Sequence, residues 1–131
     1  MYRLQGIIIK DDKRYDYTES YLKGLGYYFY DENTAARDLD FIIFPFMGAV
    51  DEEFYNDGYF ASLSTEVVVF SGVPNEYLKE CCKKHNLAYY VMAGDKNVQI
   101  KNAVPTSEGV ISHLITNRTE TISGSRILVI G

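Results

Sequence analysis

Short apolar runs of strand length alternate along this chain with stretches whose apolar residues recur at helical spacing. This alternation constrains the fold most, because strands separated by helices pair in parallel and need helices over both faces of the sheet. We therefore predict a three-layer α/β fold of the flavodoxin-like or Rossmann-like kind, with about five parallel strands and helices on both faces. The predicted strands are Leu4 to Ile9, Tyr27 to Tyr30, Asp40 to Phe44, Glu66 to Phe70 and Leu87 to Met92.

The segments between and after these strands contain three predicted helices. The first follows the rhythm of Tyr17 to Leu25, and the second follows that of Tyr77 to His85. The third begins after Pro105, where Thr106 or Ser107 is a suitable N-cap.

Two smaller elements are also predicted. The turn signal Asn56-Asp57-Gly58 lies between aromatic pairs and favours a hairpin. Residues Val98 to Ile100 have the composition of a short edge strand.

Composition limits the class of protein. The chain has 131 residues, 47% of them hydrophobic, which is the size of one domain. Its net charge is −5 and its basic residues are scattered, so we expect no nucleic-acid partner. The longest apolar run is broken by Pro45 and Gly48, and no leader pattern is present, so we expect a cytoplasmic protein without a membrane span. Cys81 and Cys82 are neighbours, a spacing that disfavours a mutual disulfide and offers no zinc motif, so no metal site is predicted.

The last residues, Ile127 to Gly131, form an apolar run followed by glycine. Such a run opens a Rossmann unit, in which the first glycine makes the turn before a phosphate held at a helix N-terminus. We predict a domain over residues 1–124, and two interpretations of 125–131 stay open. They are the first strand of a dinucleotide-binding domain, with Gly131 as a cofactor-binding residue, or the last strand of the present domain.

Four segments carry a more specific resemblance. They are Asn102 to Gly109, Ser123 to Gly131, Phe70 to Leu78, and Ile42 to Pro45 with Gly48. Together they resemble the corresponding segments of dipicolinate synthase A subunits, and the likeness runs over nearly the whole chain. The loop Lys10 to Arg14 departs from that family, because Asp12 and Arg14 can be matched but the glycine pair before them is missing. Fewer glycines make that loop less able to bring its backbone close to a ligand.

The resemblance implies a function that composition and spacing do not. Family members work with a B subunit and oxidise a dihydrodipicolinate-type dicarboxylate to dipicolinate, passing a hydride to NADP in the mother cell of a spore-forming bacterium. It implies that NADP is bound mainly by a domain after Gly131, so that this domain alone is inactive and needs no cofactor of its own. Exposed apolar surface would also allow a homo-oligomer.

Candidate substrate-binding residues follow from the resemblance and from the rule that ligands gather beyond the carboxyl ends of parallel strands. Arg14 is the best match to a carboxylate, because its guanidinium fork fits two oxygens. We expect Glu108 to orient or cap, since a carboxylate in the first turn of a helix is stabilised in its charged form. No residue is assigned as catalytic. The full set is Asp12, Arg14, Gly48, Ser71, Gly72, Asn75, Asn102, Thr106, Ser107 and Glu108.

Two other classes share this fold and differ in chemistry. A receiver domain needs a phosphate-accepting aspartate at the end of its third strand, where this chain has Phe44-Pro45-Phe46. A flavodoxin-like electron carrier needs a hydroxyl-rich loop after its first strand, where this chain has Lys10 to Lys13 with two acids. A non-catalytic binding or assembly module remains the alternative.

Overall fold

A five-stranded parallel sheet forms the centre of the first part of the chain. The computed structural model describes residues 3–32, 38–119 and 121–130. The sheet order is β2-β1-β3-β4-β5, and every neighbouring pair is parallel. The strands are β1 (Gln5–Ile8), β2 (Tyr28–Tyr30), β3 (Phe41–Ile43), β4 (Val68–Ser71) and β5 (Ala88–Val91). The predicted fold class and all five predicted strands are confirmed, with bounds that differ by at most two residues at their ends.

Apolar residues in the centre of the strands fix the register. Ile7 pairs with Ile42, and Ile42 pairs with Val69. All three side chains are fully buried. Strands with apolar residues on both faces suit a parallel sheet, whose two faces are both covered.

The described part of the chain contains four α-helices: α1 (Arg14–Gly24), α2 (Asp57–Ala61), α3 (Glu76–Lys84) and α4 (Lys96–Asn117). The larger buried cluster unites Ile7, Ile42 and Val69 of the sheet with Phe60 of α2 and Leu78 of α3. A smaller cluster joins Tyr15 of α1 to Ile8, Phe29 and Phe41 of the sheet. We call the sheet face bearing this smaller cluster the α1 face.

The hairpin predicted around Asn56 to Gly58 is wrong. Asn56 instead caps α2, and its side chain accepts a hydrogen bond from Tyr59 N at 3.1 Å. The same Asn-Asp-Gly sequence suits a tight turn or a helix start. Burial of Phe60, which has no exposed surface, favours the helix.

The predicted start of the last helix is also wrong. Helix α4 begins at Lys96, where the Asp95 carboxylate accepts from Asn97 N at 2.8 Å and from Val98 N at 3.3 Å. The predicted edge strand from Val98 to Ile100 is therefore helical, and Pro105 lies inside the helix. The sequence indicated a boundary at Pro105 because proline usually ends or begins a helix.

By its internal contacts the chain divides into two units, Met1–Gly94 with the sheet and Asp95–Gly131 with α4. Residues 126–130 form no strand within the described range. The predicted domain boundary at 124/125 refers to a nucleotide-binding domain and stays a prediction.

No helix among residues 3–32, 38–119 and 121–130 is long and apolar enough to span a membrane. Cys81 and Cys82 are buried free thiols.

Candidate functional site

The loops that follow the strands meet at the carboxyl edge of the sheet. Strand order reverses between β1 and β3, and ligands of open α/β sheets bind beyond such a reversal. The loop after β1 leads into α1, whose Tyr15 hydroxyl accepts a hydrogen bond from Phe46 N in the loop after β3. This bond ties together the two loops that flank the reversal.

Phe46 also connects this pair of loops to the loop after β4. Its carbonyl oxygen accepts from Val73 N at 2.9 Å, and a Cβ added to Gly72 would lie 2.5 Å from the same oxygen. Gly72 O in turn accepts from Ala93 N at 2.8 Å, just after β5. The segments after β1, β3, β4 and β5, which are neighbours in the sheet, are thus linked to one another. Gly72 is required for the close approach of Phe46.

The side chain of Ser71, the last residue of β4, stabilises the loop that follows this strand. Its side chain is fully buried, and its hydroxyl donates to Val73 O at 2.7 Å. Tyr89 OH lies 2.6 Å from Ser71 Oγ and accepts from Asn75 N at 3.1 Å. Since the serine proton is used toward Val73, Tyr89 donates to Ser71. The hydrogen bonds therefore run in one direction, from Asn75 N through both hydroxyls to Val73 O.

Asn75 joins the loop after β4 to the loop after β3. Its Oδ1 accepts from Leu78 N at 2.9 Å, which caps α3, and its Nδ2 donates to Gly48 O at 2.7 Å. Gly48 has a φ of 73°, a conformation that favours glycine. Asn75 and Gly48 therefore help to fix the conformations of the loops after β3 and β4.

Asp12 and Arg14 form a local pair at the start of α1. Asp12 accepts from Arg14 N at 2.7 Å and from Arg14 Nε at 2.9 and 3.0 Å. The side-chain bond from Arg14 lowers the pKa of Asp12 below its ordinary value, and the backbone bond adds to this effect. The Arg14 side chain remains 79% exposed. A guanidinium has five N–H donors, so this pairing leaves donors available for an anion.

The ammonium group of Lys10, by contrast, is paired with carboxylates of the protein rather than presented to an anionic ligand. It forms ion pairs with Asp16, at 2.8 Å, and with Glu19 on α1. Hydrogen bonds to these two carboxylates raise the pKa of Lys10 above its ordinary value. Lys10 therefore anchors the loop to the helix.

The remaining candidates lie in the interior of α4, in the second unit. The hydroxyl of Thr106 donates to Asn102 O at 2.9 Å, and that of Ser107 donates to Ala103 O at 2.8 Å. Both bonds lie in the turn where Pro105 lacks an N–H. The expectation that Thr106 or Ser107 caps the helix is wrong. Glu108 is likewise not in a first turn, so the argument for its capping role does not hold.

The loop after β1 does not fit a dinucleotide phosphate. A phosphate-binding turn uses closely approaching glycines and free backbone N–H groups. Here Asp11 and Asp12 occupy the loop, and Asp12 already accepts from the backbone of Arg14. Gly131, the predicted cofactor residue, lies outside the described residues.

Sequence reasoning missed three residues that organise the edge: Tyr15, Phe46 and Tyr89. The position of Tyr89 in an apolar strand predicts packing against the sheet and gives no sign of its hydroxyl contacts. The six predicted residues all lie at this one edge, in its loops or at the adjoining ends of β4 and α1: Asp12, Arg14, Gly48, Ser71, Gly72 and Asn75.

Comparison with known proteins gives matches among solved structures. Searches with protein-family models and among curated proteins find no match. The dipicolinate synthase A subunit from Bacillus halodurans aligns with a TM-score of 0.74 and 23% identity, over 91% of this chain and 50% of that chain. The dipicolinate synthase A chain from Bacillus subtilis aligns with a TM-score of 0.74 and 20% identity, over 93% and 51%. The chain thus spans about half the length of these proteins. It has the fold of one half of the dipicolinate synthase A subunit.

Proposed function

We propose that this chain is the substrate-binding domain of a dipicolinate-synthase-type oxidoreductase. The carboxyl edge of its sheet would hold a dihydrodipicolinate-type dicarboxylate. NADP would be bound by a separate domain beginning near residue 125, and a B subunit would complete the enzyme in the mother cell of a spore-forming bacterium. The observation that carries the proposal is the fold match to one half of the dipicolinate synthase A subunits, together with the exposed Arg14 at the strand-order reversal.

The chemistry of the edge suits an anionic ligand held by few charged groups. Arg14 would contact one carboxylate through donors that Asp12 leaves free, and Asp12 would orient the guanidinium. The N-terminus of α3, next to Asn75, adds a favourable dipole for the other carboxylate.

The buried groups of the edge would act as supports. Ser71 and Asn75 use their polar atoms for hydrogen bonds within the protein. Gly48 and Gly72 allow the loop conformations that these bonds hold. We assign these four residues to positioning the binding surface. Binding roles for Asn102, Thr106, Ser107 and Glu108 remain predictions.

No step of hydride transfer is assigned to the described residues. The loop after β1 does not fit a nucleotide phosphate, and no described residue is placed as the catalytic base. On this proposal the chain binds and orients the dicarboxylate, and oxidation requires the separate nucleotide domain.

Calorimetric titration with dipicolinate, with the monocarboxylate picolinate and with NADP tests the proposal. We expect dipicolinate to bind more tightly than picolinate, and NADP not to bind. Arg14→Ala should weaken dipicolinate binding by roughly 10- to 100-fold, because it removes a charge-assisted hydrogen bond.

The matched control is Arg3→Ala, which removes an arginine just before β1 at the opposite edge of the sheet. It should leave binding unchanged. Tight NADP binding by this chain, or dipicolinate binding that ignores Arg14, would contradict the proposal.

A further inference from the structure

The hydroxyl group of Tyr15 lies where the strand order reverses, between the loops after β1 and β3. The ring of Tyr15 packs on the α1 face of the sheet with Ile8, Phe29 and Phe41, and only 8% of the residue is exposed. At the end of this ring the hydroxyl oxygen accepts a hydrogen bond from Phe46 N. A tyrosine hydroxyl can both accept and donate, so this bond uses only its acceptor side.

The bond with Phe46 also fixes the direction of the Tyr15 proton. A backbone N–H group only donates, so the phenol proton must be directed elsewhere. No residue in the ranges 3–32, 38–119 and 121–130 accepts this proton. Buried hydroxyl groups are normally satisfied on both sides. Tyr15 therefore carries an oriented donor whose acceptor is not a described part of the chain.

The surroundings of Tyr15 keep this proton in place at neutral pH. Burial raises the pKa of Tyr15 above its ordinary value, and the hydrogen bond from Phe46 N opposes this rise. The charges of Asp11 and Asp12 raise the pKa further, whereas that of Arg14 lowers it. The hydroxyl is thus a neutral donor beside a charged one.

The loop after β3 has few backbone donors of its own for an anion. Pro45 has no N–H group, and Gly48 N donates to Pro45 O at 2.9 Å. Phe46 N is taken by Tyr15, which leaves the phenol O–H as the donor at this point of the edge. A hydroxyl that accepts from an amide is polarised, which makes it a better donor.

We infer that Tyr15 contacts the bound dicarboxylate directly, its hydroxyl donating to a carboxylate oxygen of the ligand while accepting from Phe46 N. This inference rests on the proposed function and adds a neutral donor to the guanidinium of Arg14. One carboxylate has room for both donors, because each of its oxygens accepts in more than one direction. Ligand binding then involves the loop after β3 through Tyr15 rather than through its backbone.

Removal of the hydroxyl is the first test, read by calorimetric titration with dipicolinate. Tyr15→Phe should raise the dipicolinate Kd about tenfold, because it removes a hydrogen bond to a charged group. Tyr17→Phe is the matched control, since it removes the same group from a 78% exposed side chain on the same helix. It should leave the Kd unchanged. Urea unfolding of both variants shows whether they fold.

Replacement of Tyr15 by a ring-fluorinated tyrosine separates ligand contact from loop support. Fluorine lowers the phenol pKa and makes the hydroxyl a stronger donor and a poorer acceptor. While protonated, this protein should bind dipicolinate at least as tightly as the wild type. Once ionised, the oxygen still accepts from Phe46 N but has no proton to donate, so the Kd should rise about tenfold or more. This rise should follow the phenolate absorbance, and the wild-type Kd should stay constant over the same pH range.

A role limited to holding Phe46 predicts the reverse order: weaker binding by the protonated fluorinated protein and recovery when it ionises. That order, or Arg14-dependent binding that is equal in Tyr15→Phe and the wild type, would overturn this inference alone. If Tyr15→Phe does not fold, the fluorinated protein decides. A wild type without Arg14-dependent dipicolinate binding would overturn the proposed function, and this inference with it.

Discussion

The ring and carbonyl of Phe46 lie against the backbone of Gly72, so the loop after β4 has no space for a side chain at that position. Gly72→Ala should lower the free energy of unfolding by about 1–3 kcal/mol, the usual cost of inserting a methyl group into a packed site. Urea denaturation measures this change.

Gly94→Ala is the matched control for that variant. Nothing lies within 4 Å of a Cβ at Gly94, so its unfolding midpoint should match that of the wild type. Equal midpoints for all three proteins would contradict the packing described for Phe46.

Asn75 performs two separable tasks, the capping of α3 and the tether to Gly48 O. Asn75→Ala removes both and should cost about 1–2 kcal/mol of stability. Asn75→Asp keeps the acceptor for Leu78 N and loses the donor to Gly48 O, so it should cost less. Chemical denaturation of the two variants gives the comparison, and equal losses would mean that the cap contributes nothing.

Residue-level details were the least predictable from sequence. The sequence placed Ser71 and Asn75 correctly at the carboxyl edge, because strand ends follow from the apolar pattern. It could not show that the Tyr89 hydroxyl forms hydrogen bonds with both Ser71 and Asn75. The contact with Ser71 joins two side chains that are 18 residues apart in sequence and meet only after β4 and β5 pair.

At the scale of elements, Asp57 connects the start of α2 to the end of α3. Its carboxylate lies 2.8 Å from Lys84 Nζ and 2.7 Å from His85 Nε2. The hydrogen bond from Lys84 lowers the pKa of Asp57 below its ordinary value, and the hydrogen bond from His85 adds a smaller effect in the same direction. A lowered carboxyl pKa stabilises the fold above the unfolded-state pKa, and this contribution disappears as the pH falls through the folded-state pKa.

Asp57→Asn should therefore destabilise the protein at pH 6 and have a smaller effect at pH 3. Urea unfolding midpoints of both proteins across this range measure the difference. A gap between the two proteins that stays constant with pH would show that the Asp57 charge is not involved.

Pro105 interrupts the hydrogen bonding of α4 from within. A proline inside a helix removes one backbone bond and clashes with the preceding turn, at a cost of about 3 kcal/mol. Pro105→Ala should increase the helical signal at 222 nm and slow amide exchange in the turn before residue 105. Pro74→Ala, which changes a proline outside the helices, should do neither. Unchanged exchange in Pro105→Ala would contradict the cost assigned to the proline.

Strands were easier to predict from the sequence than the first residues of helices. Strands with continuous apolar runs, such as Val67 to Phe70, were found from their pattern. The start of α4 was missed by about ten residues, because Pro105 with Thr106 and Ser107 has the composition of a helix start. Asp95 followed by Lys96 is a second, weaker signal that the local pattern did not favour. Helix α2, which begins at Asp57, was missed because the sequence Asn56-Asp57-Gly58 suits both a hairpin turn and the start of a helix.

At the scale of the whole molecule, the sheet unit holds the candidate site at the carboxyl edge of its five parallel strands. The fold class followed from the alternation of strands and helices, which local pattern determines well. The mutual arrangement of the loops after β1, β3 and β4 could not be derived this way, since backbone contacts such as Val73 N to Phe46 O carry no residue signature.

Our central proposal is that the carboxyl edge binds a dicarboxylate. The most direct test is an amide chemical-shift map of the ¹⁵N-labelled chain titrated with dipicolinate. We predict that saturable shifts concentrate at Arg14, Gly48, Gly72 and Asn75 and are absent in Arg14→Ala. Shifts confined to other surfaces, or no saturable shift at millimolar dipicolinate, would contradict this claim.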